Sequence, residues 1–228
     1  MTRNDAPGWF GKLATHGDFA SRRLSAEWVQ ACDQWLAGCV STSHRQLGAR
    51  WTEVYLSAPV WRFAWGPGVF DEQWWFGILM PSCDNVGRYF PLMVVQPRAH
   101  APTDRVGMDH LDLWWQHVAR AALDTLSEGA TLAAFESALH AGPPWPGPGQ
   151  ASPLSLARGV AGHWRVPVPA ARSLGELAGV VAAGDLQQRL ARSSFWWPLS
   201  PGDVEGTFTL VAGLPPPDAF AQMLSGQW

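Results

Sequence analysis

Hydrophobic positions along the chain switch between two periods, and the switches mark out its elements. After Ser25, the residues Trp28, Cys32, Trp35 and Cys39 recur at spacings of four, three and four. That spacing predicts a helix with one buried face, capped by Ser25. The stretches Tyr55 to Trp65, Trp74 to Met80 and Tyr89 to Val95 are short, aromatic and β-branched, and Gly66-Pro67-Gly68 and Pro81-Ser82 divide them. They predict neighbouring strands of one sheet. Strict alternation sends Arg62 to the face opposite Trp61 and Phe63, where it is either paired beneath a helix or solvated.

Asp109 opens a second helix in which Leu111, Trp114, Trp115, Val118, Ala122 and Leu126 share a face and Gly129 stands at the stop. Thr131 caps a shorter helix from Leu132 to His140. The run Gly142-Pro143-Pro144-Trp145-Pro146-Gly147-Pro148-Gly149 can form neither helix nor ladder and is the clearest linker in the chain, and at this length one large domain and two small ones are equally open. Further on, Trp164, Val166 and Val168 alternate as a strand does, and Ser173-Leu174-Gly175-Glu176 has capping-box spacing. A helical run follows from Asp185 to Leu190. Ser194 to Trp197 and Thr207 to Ala212 suit buried strands, and Pro215 to Pro217 lead into a last helix with Phe220, Met223 and Leu224. No repeat period occurs, and the alternation predicts helices on both faces of a mixed, largely antiparallel sheet.

Composition narrows the functional classes. The 228 residues are 47% hydrophobic and include 15 tryptophans, most of which must be core because each ring buries about 200 Å². Formal net charge is −3 and the pI is about 6.1, so nothing supplies the basic excess that nucleic acid requires. Lys12 is the single lysine among 16 basic residues, a bias that fits GC-rich coding better than a phosphate-binding surface. Cys32, Cys39 and Cys83 form no close pair and read as reduced thiols. Met1 to Gly8 has no apolar core, and no run of about 18 apolar residues exists. The expectation is a cytoplasmic protein without membrane insertion.

Two polar clusters are candidates for chemistry. The first, Lys12, Thr15, His16, Asp18, Ser21, Arg22 and Arg23, lies among Gly8-Trp9-Phe10-Gly11 and Gly17 and reads as a loop. His16 and Asp18 could form half of a hydrolase triad, with Ser21 or Ser82 as nucleophile, but no serine sits in a nucleophile-elbow setting. The plainer reading has both residues bonding turn backbone and Arg22 pairing a carboxylate. The second cluster, Pro81 to Pro91, reads as a hairpin-like connection in which Gly87 permits positive φ and Asn85 tolerates it. Cys83, beside Asp84 and Arg88, fits packing better than an activated thiolate. No histidine pair has metal spacing, and neither a Walker loop nor a dinucleotide turn occurs, so no metal or cofactor is expected.

These clusters carry a resemblance. Gly8-Trp9-Phe10-Gly11-Lys12-Leu13 through His16-Gly17-Asp18-Phe19 and Ser21-Arg22-Arg23 resembles the opening of the TagF (ImpM) family of type VI secretion. The likeness continues in Tyr55-Leu56-Ser57-Ala58-Pro59, Trp61-Arg62-Phe63, Met80-Pro81-Ser82, Asp84 and Val86 to Leu92. It is looser in Phe195-Trp196-Trp197, Gly213-Leu214-Pro215 and Phe220 to Leu224. Ala14 stands where the family pattern has proline, and Cys83 where an apolar residue is common. The resemblance implies a three-layer α/β/α sandwich, and with it one continuous domain spanning 1–228 in which the Pro/Gly-rich residues 142–153 are an internal loop. It also implies a non-catalytic post-translational regulator that restrains type VI secretion by engaging a cytoplasmic forkhead-associated scaffold protein, alongside the threonine kinase and phosphatase pathway. The candidate protein-binding residues are then Trp9, Lys12, His16, Asp18, Arg22, Arg23, Asp84 and Arg88, with a hydrolase or a structural subunit of the secretion apparatus as the alternatives.

Overall fold

The computed structural model describes residues 6–102, 105–145, 157–158, 164–165, 189–199 and 207–228. Within these, seven strands form one sheet. They are β1 (Gly8–Gly11), β2 (Ala20–Arg22), β3 (Trp61–Trp65), β4 (Trp74–Met80), β5 (Leu92–Arg98), β8 (Ser193–Pro198) and β9 (Thr209–Ala212), in the order β2-β1-β5-β4-β3-β8-β9. A separate pair joins β6 (Ala157–Arg158) to β7 (Trp164–Arg165). Every described pairing is antiparallel.

Side chains alternate between two cores. One face carries Trp61, Phe63, Trp65, Trp75 and Trp196 against α1 (Ala26–Leu47), α2 (Trp51–Leu56) and the C-terminal helix Phe220–Leu224. The other carries Trp74, Phe76, Ile78 and Val94 against α3 (Arg105–Asp124) and α4 (Leu132–His140). Helices on both faces of the sheet make the α/β/α sandwich. The sheet draws β8 and β9 from beyond the Pro/Gly run, so both halves of the sequence share it.

The helix signals worked where one face is buried. Ser25 accepts from the Trp28 amide, and Trp28, Cys32, Leu36 and Cys39 are buried on α1. Thr131 likewise caps α4 through the Ala134 amide. Tryptophan stacks fill the first core: Trp28 lies 6.0 Å from Trp65 and 5.2 Å from Trp75, and Phe63 lies 4.7 Å from Trp196.

Several boundaries differ from the sequence expectation. Tyr55 belongs to a helix, because Trp51 and Tyr55, one helical turn apart, stack at 4.6 Å on the buried side of α2. Tyr89 precedes its strand and makes only an isolated bridge with Cys83; β5 begins after Pro91. α3 starts one turn before Asp109, where Val106 and Met108 face solvent and leave no apolar period to read. Leu126 lies past the end of α3 and is exposed. The strand at Trp164 spans two described residues; Val166, Val168, the capping box at Ser173, the run from Asp185 to residue 188 and the loop beyond Trp145 fall outside the described residues.

Candidate functional site

The first polar cluster is a β-hairpin, a correction to its expectation as a loop. β1 and β2 pair through Trp9 with Arg22, Phe10 with Ser21 and Gly11 with Ala20, placing β2 at the edge of the sheet. The tip, His16 to Phe19, is exposed. Each end of the hairpin is tied to a distant carboxylate.

Asp84 holds the tip end. Its side chain is fully buried and accepts four hydrogen bonds. Oδ2 receives Lys12 Nζ at 3.0 Å and Arg88 Nε at 2.6 Å, and Oδ1 receives the amides of Val86 at 3.1 Å and Arg88 at 2.8 Å. Desolvation alone would raise the carboxyl pKa. The Arg88 amide, Lys12, the Arg88 guanidinium and the Val86 amide override it and hold the group well below the ordinary carboxylate range. Arg88 also donates to the Gly17 carbonyl, and the Asn85 amide donates to the His16 carbonyl, so the Pro81–Pro91 connection grips the hairpin tip directly.

Local backbone chemistry delivers these groups. Gly11 has φ +138°, and a Cβ there would sit 2.1 Å from the Pro91 carbonyl oxygen, so only glycine lets β1 turn and send Lys12 inward. Gly87 supplies the positive φ of the opposing turn; Asn85 is not in the left-handed region, since Arg23 and Arg192 are the non-glycine residues there among those described. Ser82 is buried, its hydroxyl donates to the Lys12 carbonyl, and its amide donates to Tyr55 Oη.

Glu136 of α4 holds the other end. It accepts from Trp9 Nε1 and, in a bidentate pair, from Arg23 Nη1 at 2.7 Å and Nη2 at 3.2 Å. Arg22 Nη1 stands farther off at 3.7 Å. Desolvation opposes ionisation, but Arg23, Trp9 and Arg22 together keep the Glu136 carboxyl below its usual range. Arg23 adopts φ 59° and also donates from Nε to the Pro7 carbonyl, so its side-chain bonds sustain a backbone conformation that ordinarily favours glycine.

The candidate residues therefore divide by role. Trp9, Lys12 and Asp84 are buried and cannot meet a partner; they set the shape of the surface. Arg23 is committed to Glu136. His16 and Asp18 are exposed, Arg22 keeps its side chain 52% exposed, and Arg88 keeps 58% although it is pinned by Asp84 and Gly17. Asp18 Oδ1 accepts from the Phe19 amide, as its turn reading required. The side chains of His16 and Asp18 share no hydrogen bond among the described residues. No group of histidine, cysteine, aspartate and glutamate among the described residues is arranged to hold a metal ion, and no described helix is long and apolar enough to cross a membrane.

Glu136 was missed from sequence, although a signal existed. Phe135 and Leu139, with half-buried Leu132, form the apolar stripe of α4, and Glu136 is the one carboxylate on that stripe. A lone carboxylate on an apolar helix face demands a partner.

Relatives agree with this architecture. The crystal structure of PA0076 from Pseudomonas aeruginosa PAO1 is 34% identical and superposes with a TM-score of 0.76, over 97% of this chain and 94% of that one. No curated protein matches the chain. The family described as TagF N-terminal domain, type VI secretion system-associated, matches residues 8–141, which contain both carboxylate centres and every candidate residue above. The chain belongs to the TagF N-terminal domain family of type VI secretion system-associated proteins.

Proposed function

We propose that the β1–β2 hairpin is a docking element through which this protein regulates type VI secretion without catalysis, restraining it by binding a cytoplasmic forkhead-associated scaffold protein. One observation carries the reading: a hairpin at the sheet edge is clamped at both ends by carboxylates that spend their bonding capacity inward. Burying such groups is costly, and the return is a rigid, charged tip. A surface held in one conformation before binding loses little entropy on association. Arg22 and Arg88 supply guanidinium groups, a residue type enriched where binding energy concentrates. Against a hydrolytic role, the Ser82 hydroxyl is buried and donates to backbone, so it does not serve as a nucleophile beside His16.

The test is capture of the purified forkhead-associated scaffold protein on immobilised protein. Asp18→Lys combined with Arg22→Gln, which removes the guanidinium without setting a carboxylate against Glu136, abolishes capture while the melting temperature stays near that of the parent. Undiminished capture by this variant overturns the assignment of the hairpin. Charge reversal at Arg23 is unsuitable, since it breaks the Glu136 clamp.

A further inference from the structure

Helix α1 carries a second stripe besides its buried one. Val29, Gln30 and Asp33 recur at helical spacing and line one wall of a groove of about 630 Å³. Phe10, Phe19 and Leu24, from the β1–β2 hairpin and its exit, line the other. The apolar part of this lining is fixed in place. Phe19 is 44% exposed, yet its ring is held edge-on by Phe90 at 4.8 Å, by Phe10 at 6.1 Å and by the Lys12 ammonium at 5.1 Å. Leu24 and Val29 are half-buried against the same core.

Among the described residues that line the groove there is one charge, and it is unmatched. Asp33 is half-buried, and among the described residues it makes neither an ion pair nor a hydrogen bond. α1 gives it no cation within reach, since from Ala26 to Ser43 the charges of the helix are Glu27 and Asp33 alone. The cations of the hairpin go elsewhere. Lys12 ends on Asp84 beside Arg88, and Arg23 ends on Glu136. β2 turns Ser21 to the groove, so alternation sends Arg22 to the opposite face, toward Glu136. A half-buried carboxylate without donors is unfavourable, and a cation brought by another molecule relieves it.

We propose that this groove receives an amphipathic segment of a partner protein, which lays apolar side chains on Phe19, Leu24 and Val29 and brings a lysine or arginine to Asp33. The hairpin forms one wall, so on the function proposed above this segment belongs to the same partner. Charge chooses among the occupants. An anionic membrane surface meets a carboxylate with no cation beside it. A second copy joined about a twofold through the groove sets Asp33 against the Asp33 of that copy. The groove is open to solvent, which suits a segment of chain better than a small molecule that needs enclosure.

Random peptides displayed on phage and selected on the immobilised full chain read the groove without presupposing a particular partner. The enriched sequences place a lysine or arginine within one helical turn of two apolar residues. A synthetic peptide of that consensus binds Asp33→Ala about tenfold more weakly than the parent. Asp33→Lys loses this peptide and gains one in which glutamate replaces the cation, an exchange that a merely structural Asp33 does not produce. Near-ultraviolet dichroism of both variants matches the parent. Enrichment of acidic sequences or of none overturns the proposal, as does a consensus peptide that binds Asp33→Ala as tightly as the parent. A parent that dimerises, with a dimer the peptide dissolves, overturns it by giving the groove to a second copy. Should Asp33→Lys fail to fold, the affinity of Asp33→Ala decides. Competition with the purified forkhead-associated scaffold protein separates the two readings. A peptide that binds through Asp33 and leaves scaffold capture intact overturns the shared partner. A parent that captures no scaffold overturns the function proposed above, while dependence of peptide binding on Asp33 still upholds the groove.

Discussion

Lys12 Nζ lies 3.0 Å from Asp84 Oδ2, a buried ion pair joining residues 72 apart in sequence. The pair fastens the end of β1 to the turn before β5. With Arg88 on the same oxygen, it makes the shape of the hairpin tip depend on one ionised carboxylate.

That dependence has a pH signature. The carboxyl of Asp84 is held below its unfolded value of about 3.9, so the stability it confers is fully present above that value. It is lost as pH falls from about 4 toward the folded pKa. Asp84→Asn, which cannot ionise, lowers the melting temperature at neutral pH and flattens its fall between about pH 5 and 2. Thermal melts of both proteins across that range check this, and parallel curves contradict it.

Glu136 answers to its partners. Glu136→Ala orphans the buried Trp9 indole N–H and uncouples Arg23, and costs about 3 kcal/mol. Glu136→Gln keeps an acceptor for Trp9 and costs less. Urea unfolding of the two variants gives the order; equal losses would show that Trp9 draws nothing from the bond.

Arg62 tests the opposite case, a pair at the margin of the core. Its Nη1 donates to Asp112 at 2.7 Å, its guanidinium lies 5.4 Å from the centre of the Trp197 ring, and Asp112 keeps nearly half its side-chain surface in water. A double-mutant cycle through Arg62→Met and Asp112→Asn returns a coupling of about 1 kcal/mol or less, falling with added salt.

Gly11→Ala places a methyl against the Pro91 carbonyl at a φ that L residues avoid. The variant loses about 3 kcal/mol or more, through overpacking and backbone strain together. Gly87→Ala, at φ +80° with open space around it, loses only about 1 kcal/mol. Chemical denaturation of the two separates strain alone from strain with collision.

The thiols separate by burial. Desolvation pushes the thiol of Cys39 up to about 12 and that of Cys32 higher still, and both lie on the buried face of α1. An aromatic disulfide reagent at pH 8 titrates Cys83 in the folded protein, and Cys32 and Cys39 only after denaturation. Rapid reaction of more than one thiol in the native state would contradict the packing of α1.

Helices α1 and α4, strands β4 and β8 and the Pro81–Pro91 hairpin were legible because their signals are local. A capping side chain reaches three residues ahead, a buried stripe repeats every turn, and a strand alternates whatever it pairs with. Arg62 shows where locality stops. Its alternation assigns it a face, but only α3 packing there makes it paired and not solvated. Tyr55 shows the same limit, since its aromatic, β-branched surroundings suit a strand until Trp51 stacks on it one turn away.

By itself, then, the amino-acid order determined the alternation of helices and strands and the two clusters that carry the family likeness. Only the tertiary structure decided that the first cluster is an edge hairpin, that Trp9, Lys12 and Asp84 are buried, and that Glu136 anchors the hairpin's far end. The reason is physical: a carboxylate is buried or exposed according to the donors that converge on it, and here those donors arrive from segments 72 and 113 residues away.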